Sequence, residues 1–181
     1  MKWMIASDIH GSAYYCRQML KAFDREQADR LLLLGDVLYH GPRNDLPKEY
    51  APKEVIKMLN GMKQEIYAVR GNCEAEVDQM VLEFPVMADY FILAIDGLTF
   101  YATHGHVYNE NNLPPFCPGD ILIHGHTHVL KAEQRENYIL LNPGSVSIPK
   151  EGNPPTYAVL ENKVFTIKDF DGNIVKEMRL G

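Results

Sequence analysis

Residues 31–36 read LLLLGD, in which four consecutive leucines are followed by a glycine and an aspartate. An unbroken apolar run of this length, stopped by Gly35, is typical of a strand buried on both faces. A shorter apolar run, Trp3–Ala6, precedes it and ends in Ser-Asp. Between the two, apolar residues recur at helical spacing over residues 13–27. The order strand, helix, strand predicts a βαβ unit with a parallel strand pair.

The rest of the chain continues this alternation and becomes richer in strands. Helical spacing returns at residues 53–63, and residues 65–69 form a third short apolar run. Asp96-Gly97 separates two further apolar runs and predicts a tight hairpin. Residues 156–180 alternate in the β manner and predict an antiparallel meander. With no repeat and no linker, residues 1–181 are expected to form a single α/β domain.

Composition excludes several classes of protein. The chain of 181 residues has a formal net charge of −6, whereas a general nucleic-acid binder needs a basic surplus, so no long nucleic acid is expected as a partner. No apolar run approaches the ~20 residues that cross a bilayer, so no membrane partner is expected either. The N-terminal stretch MKWMIASDIHG reaches a charge too early for a signal peptide. Three cysteines without a C-x-x-C pair fit a reducing compartment, and the expected location is the cytoplasm.

Polar side chains follow nearly every predicted buried strand. They comprise two carboxylates, one amide and four imidazoles, namely Asp8, His10, Asp36, Asn72, His104, His126 and His128. The carboxyl ends of parallel strands meet at one crevice, so these side chains are expected to converge. Seven donors are too many for one ion and fit two divalent ions bridged by one carboxylate, for which Asp36 is the natural choice. Alternation through Thr127 predicts an extended turn that presents the two flanking imidazoles on one side.

At these positions the sequence resembles the calcineurin-like metallophosphoesterases. Five motifs of that family occur in order, namely Asp8-Ile9-His10, Gly35-Asp36, Gly71-Asn72-Cys73, His104-Gly105 and Gly125-His126-Thr127-His128. Small size and the stretch LGDVLYHGPRN are similar to the YfcE-type bacterial phosphodiesterases of the family. The resemblance implies a four-layer α/β/β/α sandwich of two mixed β-sheets flanked by helices. It also implies a phosphodiesterase in which a hydroxide, held between two metals, attacks phosphorus in line.

The resemblance further implies how the ligands are divided. One metal would take Asp8, His10, Asp36 and His128, and the other would take Asp36, Asn72, His104 and His126. Asp36, Asn72 and His104 would thereby be catalytic, together with Cys73, which stands where many members carry a histidine. A thiol is a poor substitute for an imidazolium near neutral pH, so diesters are expected to be cleaved better than monoesters.

The ligand set also limits the choice of metal. Carboxylates, an amide and imidazoles without a thiolate suit Mn²⁺, Zn²⁺, Fe²⁺, Ni²⁺ or Co²⁺, and Mn²⁺ is the expected activator. His40 and Arg43, in the proline-rich loop after Asp36, are candidates for contacting a substrate phosphate, although a solvated loop explains them equally well.

Simpler explanations exist for each residue alone. A single Asp could cap a helix, an Asn after Gly could make a turn, and a single His could be structural. Taken together, these explanations are insufficient, because they do not explain why residues that can bind a metal follow nearly every predicted strand. The function expected is hydrolysis of a small or nucleotide-like phosphodiester. The alternatives are a phosphomonoesterase or nuclease of the same fold, or a non-catalytic metal-binding scaffold, and a homo-oligomer stays open.

Overall fold

The computed structural model describes residues 1–181, with three helices and eleven strands. The helices are α1 (Ala13–Glu26), α2 (Pro52–Asn60) and α3 (Glu76–Val81). The strands are β1 (Trp3–Ala6), β2 (Arg30–Leu33), β3 (Ile66–Ala68), β4 (Tyr90–Ile95), β5 (Leu98–Thr103), β6 (Ile121–Ile123), β7 (Lys131–Gln134), β8 (Ile139–Asn142), β9 (Thr156–Glu161), β10 (Val164–Asp169) and β11 (Ile174–Arg179). None of the helices combines the length and apolar character needed to cross a membrane.

The first sheet has six strands in the order β11-β10-β9-β1-β2-β3. Strands β1, β2 and β3 are parallel, with Met4 opposite Leu31, so the predicted βαβ unit is confirmed. The C-terminal meander is also confirmed, and it joins this sheet because β9 pairs antiparallel with β1. The first strand of the chain therefore lies at the centre of the sheet.

The second sheet has five strands in the order β4-β5-β6-β8-β7. The hairpin at Asp96-Gly97 joins β4 to β5, as predicted, and β5, β6 and β8 run parallel. The predicted pair of mixed sheets flanked by helices is thus confirmed. Strand β7 was not predicted, because it is an edge strand in which only Ala132 is buried and the apolar alternation is missing.

The four leucines of the opening stretch serve two cores. Leu31 and Leu33 pack with α1 and α2 on the outer face of the first sheet, whereas Leu32 and Leu34 pack between the two sheets. Side chains alternate between the faces of a strand, so a strand with a core on each side is apolar at every position. Burying each leucine contributes about 2 kcal/mol, which makes β2 a rigid support for the aspartate that follows it.

Candidate metal centre

The structure brings all seven predicted ligands together at the carboxyl ends of five strands. Both sheets contribute, since β1, β2 and β3 belong to the first sheet while β5 and β6 belong to the second. Asp8, His10, Asp36, His104 and His128 are buried, whereas His126 is half-buried and Asn72 is exposed. Side chains from each sheet thus meet in one place, at the edge where the two sheets come together.

Four of the ligand atoms form a first group around Asp8. The Nε2 atom of His10 lies 3.6 Å from Asp8 Oδ1, 3.6 Å from Asp36 Oδ2 and 3.4 Å from His128 Nε2. The Nε2 atom of His128 lies 3.2 Å from Asp8 Oδ1. That carboxylate oxygen is buried and has no hydrogen-bond partner within the chain. A buried anionic oxygen surrounded by imidazole nitrogens fits a cation, because a divalent ion would satisfy all four lone pairs.

A second group surrounds His104. Its Nε2 atom lies 3.2 Å from Asn72 Oδ1, 3.2 Å from His126 Nδ1 and 3.4 Å from Asp36 Oδ2. The Oδ2 atom of Asp36 is therefore shared by both groups. The division of the ligands between two metals, with Asp36 as the bridge, stays a prediction.

Backbone carbonyls orient three of the four imidazoles. The Nδ1 atoms of His10 and His128 each lie 2.8 Å from a carbonyl oxygen, and that of His104 lies 2.5 Å from one; the carbonyls belong to Tyr39, Ile148 and Leu34 respectively. A neutral ring that donates Nδ1–H presents a lone pair on Nε2, the atom that faces the site. The backbone thereby selects the tautomer that a metal requires.

Five of the seven ligands adopt a left-handed backbone conformation. The φ angles are 61° at Asp8, 49° at His10, 54° at Asp36, 63° at His126 and 61° at His128. The chain does turn at Thr127, but the prediction that this turn is extended is wrong. Such conformations cost about 1–2 kcal/mol for a non-glycine residue and cluster at functional sites. Here they turn the chain sharply at each strand end, which brings successive ligands towards the same centre.

Two glycines allow the ligand loops to approach one another. A Cβ atom on Gly71 would lie 2.2 Å from Asp36 Oδ1, and one on Gly125 would lie 1.8 Å from Ser7 Oγ. Both distances are far below van der Waals contact, so any side chain would separate the loops. The glycine before Asn72 and the glycine before His126 are thus required by close packing.

Opposite charges shift the pKa values within the site. Burial by itself lowers the pKa of His104, but the carboxylates of Asp36 and Asp8 outweigh it and raise the pKa to about 9. Burial and the neighbouring His104 lower the pKa of His126 to about 4. Burial opposes ionisation of Asp8, yet the imidazoles of His10 and His128 hold its pKa well below the usual range. Asp8 is therefore ionised at neutral pH, as a metal ligand must be.

The model of the calcineurin-like phosphoesterase superfamily domain matches residues 1–164, which include every ligand. The chain belongs to this superfamily. Its similarity to phosphodiesterase YfcE of Escherichia coli (strain K12) is 48% identity over 167 residues, covering 92% of this chain and 91% of YfcE. The solved structure of Yfce, a phosphoesterase from E. coli, superposes with a TM-score of 0.97 at 45% identity, and each chain is covered completely. Phosphodiesterase MJ0936 of Methanocaldococcus jannaschii is 26% identical, covering 80% of this chain and 83% of MJ0936.

One buried residue of this phosphoesterase was missed by the sequence analysis. The carboxylate of Glu74 is 4% exposed and accepts hydrogen bonds from three backbone N–H groups. The donors are Gly71 at 2.6 Å, Val37 at 2.7 Å and Asp36 at 2.9 Å. Glu74 thereby joins the loop after β2 to the loop after β3. Its only signal in the sequence is an acid two residues after Asn72, which by itself reads as an ordinary loop residue.

A cleft of about 360 Å³ opens above the ligands of the phosphoesterase. Arg43, one of the two predicted substrate contacts, lines this cleft, and so does Lys150, which the sequence analysis did not single out. His40, the other predicted contact, does not line it, because its ring lies between Tyr39 and Tyr50 with centroids 4.7 and 5.2 Å away.

Cys73 also lines the cleft, beside the bridging carboxylate. Its backbone N–H donates to Asp36 Oδ1 at 2.9 Å, and its Sγ atom accepts from Asn72 Nδ2 at 3.3 Å. Burial and the nearby Asp36 carboxylate raise the pKa of the Cys73 thiol. A neutral thiol therefore occupies the position at which many members of the family have an imidazole.

Proposed function

We propose that the chain is a metal-dependent phosphodiesterase that hydrolyses a small phosphodiester at the cluster of seven ligands. The observation that carries this proposal is the convergence of the ligand atoms in two adjoining groups, with separations of 3.2–3.6 Å. The first group surrounds the unpaired buried oxygen of Asp8. The 48% identity to phosphodiesterase YfcE supports the choice of a diester as substrate.

Two cations would be held in the division described above, with Asp36 between them. When bound, they would supply positive charge to the phosphate oxygens and lower the pKa of the attacking water. The chain's own residues contribute orientation, because the backbone carbonyls and Glu74 hold each ligand in place before substrate arrives. Two carboxylates, one amide and four imidazoles suit Mn²⁺, which we propose as the activating ion.

The neutral thiol of Cys73 favours diesters over monoesters. A phosphomonoester carries a second negative charge near neutral pH, and its leaving oxygen benefits from an adjacent imidazolium. The Cys73 thiol cannot carry positive charge, so this cleft offers less to a dianion than a histidine-containing site does. A phosphodiester carries only one negative charge, and the two proposed metal cations would be sufficient to neutralise that charge.

We further propose that residues 1–181 act as one unit in the cytoplasm. Both sheets supply ligands, so neither half of the chain could form the site alone. All three cysteines are free, which fits a reducing compartment.

The test is turnover of bis(p-nitrophenyl) phosphate by protein stripped with a chelator and then supplied with Mn²⁺. We expect activity that requires the metal and falls at least about 100-fold in Asp36→Asn, since that change removes the shared ligand. Asp24→Asn is the matched control, because Asp24 is an exposed aspartate on α1. Absence of turnover with Mn²⁺, Zn²⁺, Fe²⁺, Ni²⁺ and Co²⁺ would refute the proposal and favour a non-catalytic scaffold.

A further inference from the structure

Two cationic side chains line the cleft without partners inside the chain. Arg43 comes from the loop after β2 and Lys150 from the segment between β8 and β9; both are exposed. Neither side chain forms an ion pair or a hydrogen bond, although the chain has a net charge of −6 and acids are abundant. Unpaired cations that line a cleft attract anionic ligands, because their field raises the local concentration of negative charge.

The backbone on each side of the cleft is anchored beside the metal ligands. Asn44 Nδ2 donates to the carbonyl of His40 at 2.8 Å and holds the turn that carries Arg43. A Cβ atom on Gly41 would lie 3.3 Å from Cys73 Sγ, so this turn packs closely on the site.

Lys150 is anchored in the same way. Its own N–H donates to the carbonyl of His128 at 3.1 Å, and its carbonyl accepts from Asn153 Nδ2 at 2.9 Å. Arg43 and Lys150 therefore project from supported segments rather than from free loops.

The chemistry of the cleft wall is polar. Among its eleven lining residues only Cys73 counts as hydrophobic, and none has an aromatic six-membered ring. Nucleobases are usually bound by stacking on aromatic side chains, and the nearby rings of Tyr39 and Tyr50 lie outside the lining. The wall is thus better suited to a charged group than to a base.

We propose that Arg43 and Lys150 form an anion-binding subsite. It binds a second phosphate group of the substrate, beside the phosphodiester that is cleaved. This inference rests on the proposed phosphodiesterase function and names the substrate class more closely. Arginine presents a fork of N–H donors that matches phosphate geometry, and lysine adds a compact point charge. A substrate with two phosphate groups would thus contact the metal ligands and the subsite together.

The test compares two substrates that differ only in one phosphate, the p-nitrophenyl ester of thymidine 5′-phosphate and the same ester carrying a 3′-phosphate. Release of p-nitrophenolate is followed with Mn²⁺. We expect the 3′-phosphate to lower KM roughly fivefold to tenfold, as two partly exposed ion pairs allow, with little change in kcat. Lys150→Met and Arg43→Gln should each remove much of this difference. Lys21→Met, which removes the same charge from the exposed face of α1, should preserve it.

The outcomes separate the two proposals. Turnover of both esters with equal KM would overturn the subsite and leave the phosphodiesterase intact. No turnover of either ester or of bis(p-nitrophenyl) phosphate would refute the phosphodiesterase, and calorimetry with Mn²⁺ would then test the subsite. It would compare the binding of thymidine 3′,5′-bisphosphate with that of thymidine 5′-phosphate. Equal affinities for the two nucleotides would overturn the subsite. So would tighter binding of the bisphosphate that is unchanged in Lys150→Met and in Arg43→Gln.

Discussion

The metal-free protein is expected to lose stability as the pH rises above neutrality, because His104 binds a proton more tightly in the folded chain than in the unfolded one. Its pKa is raised from 6.5 to about 9, chiefly because the Asp36 and Asp8 carboxylates outweigh the effect of burial. A group whose folded pKa is raised stabilises the fold fully below its unfolded pKa. That contribution disappears as the pH rises through the folded pKa.

The size of the effect follows from the two pKa values of His104. Their difference corresponds to about 3 kcal/mol of stabilisation at low pH, of which about 2 kcal/mol is lost between roughly pH 6.5 and pH 8.5. The pKa of His10 is also raised, against the effect of burial, by Asp8, so its contribution has the same sign. The lowered pKa of His126 acts below pH 6.5, where it makes stability rise with pH. The metal-free protein should therefore be most stable near pH 6.5.

The assay is urea unfolding at pH 6.5, 7.5 and 8.5 in the presence of a chelator. His104→Gln should flatten the decline, whereas His106→Gln, which changes a neighbouring imidazole outside the ligand set, should leave it in place. Added Mn²⁺ should reverse the trend, because the metal binds neutral imidazole and releases the proton. An unfolding free energy that stays constant or increases from pH 6.5 to pH 8.5 without metal would refute the reasoning.

Three further substitutions probe individual contacts. Cys73→His should raise turnover of p-nitrophenyl phosphate relative to bis(p-nitrophenyl) phosphate, since an imidazolium would assist the dianion; a loss of diester turnover with no gain for the monoester would contradict this. Glu74→Ala should lower the free energy of unfolding by about 3 kcal/mol, because three buried N–H groups lose their acceptor. Calorimetry should record a fall in Tm of roughly 6–12 °C, and an unchanged Tm would argue against this role. Gly125→Ala should weaken Mn²⁺ binding in titration calorimetry, because its Cβ would collide with Ser7 Oγ; wild-type affinity would show that the loop can shift freely.

The architecture could be predicted because local patterns agreed with the final fold. Four leucines in sequence require a strand buried on both faces, and the structure places them in two cores. The hairpin at Asp96-Gly97 and the C-terminal meander depend on turn chemistry and alternation, which are local properties. Strand β7 was not predicted from the sequence, because an edge strand needs little apolar surface and its residues therefore show no apolar alternation.

The ligands of the candidate site were predictable for a related reason. Each one lies one to five residues after the end of a strand, and parallel strands end at a common edge, so their residue types alone indicate a shared centre. The bridge at Asp36 was inferred from its place after the most buried strand, whereas the division into two metal sites came from the family resemblance. Both stay predictions, although Asp36 Oδ2 lies within 3.6 Å of His10 Nε2 and 3.4 Å of His104 Nε2.

Other features depended on contacts between segments far apart in the chain. Glu74 matters because its carboxylate reaches N–H groups on two separate loops, and Lys150 matters because its backbone binds His128. The left-handed conformations of the ligands could not be assigned from the sequence. Aspartate and histidine tolerate such conformations better than most residues, but the surrounding structure decides where they occur. The sequence by itself therefore determined which residues form the candidate centre. Only the tertiary structure decided how they are held and what lines the cleft, because those depend on long-range packing that no local pattern encodes.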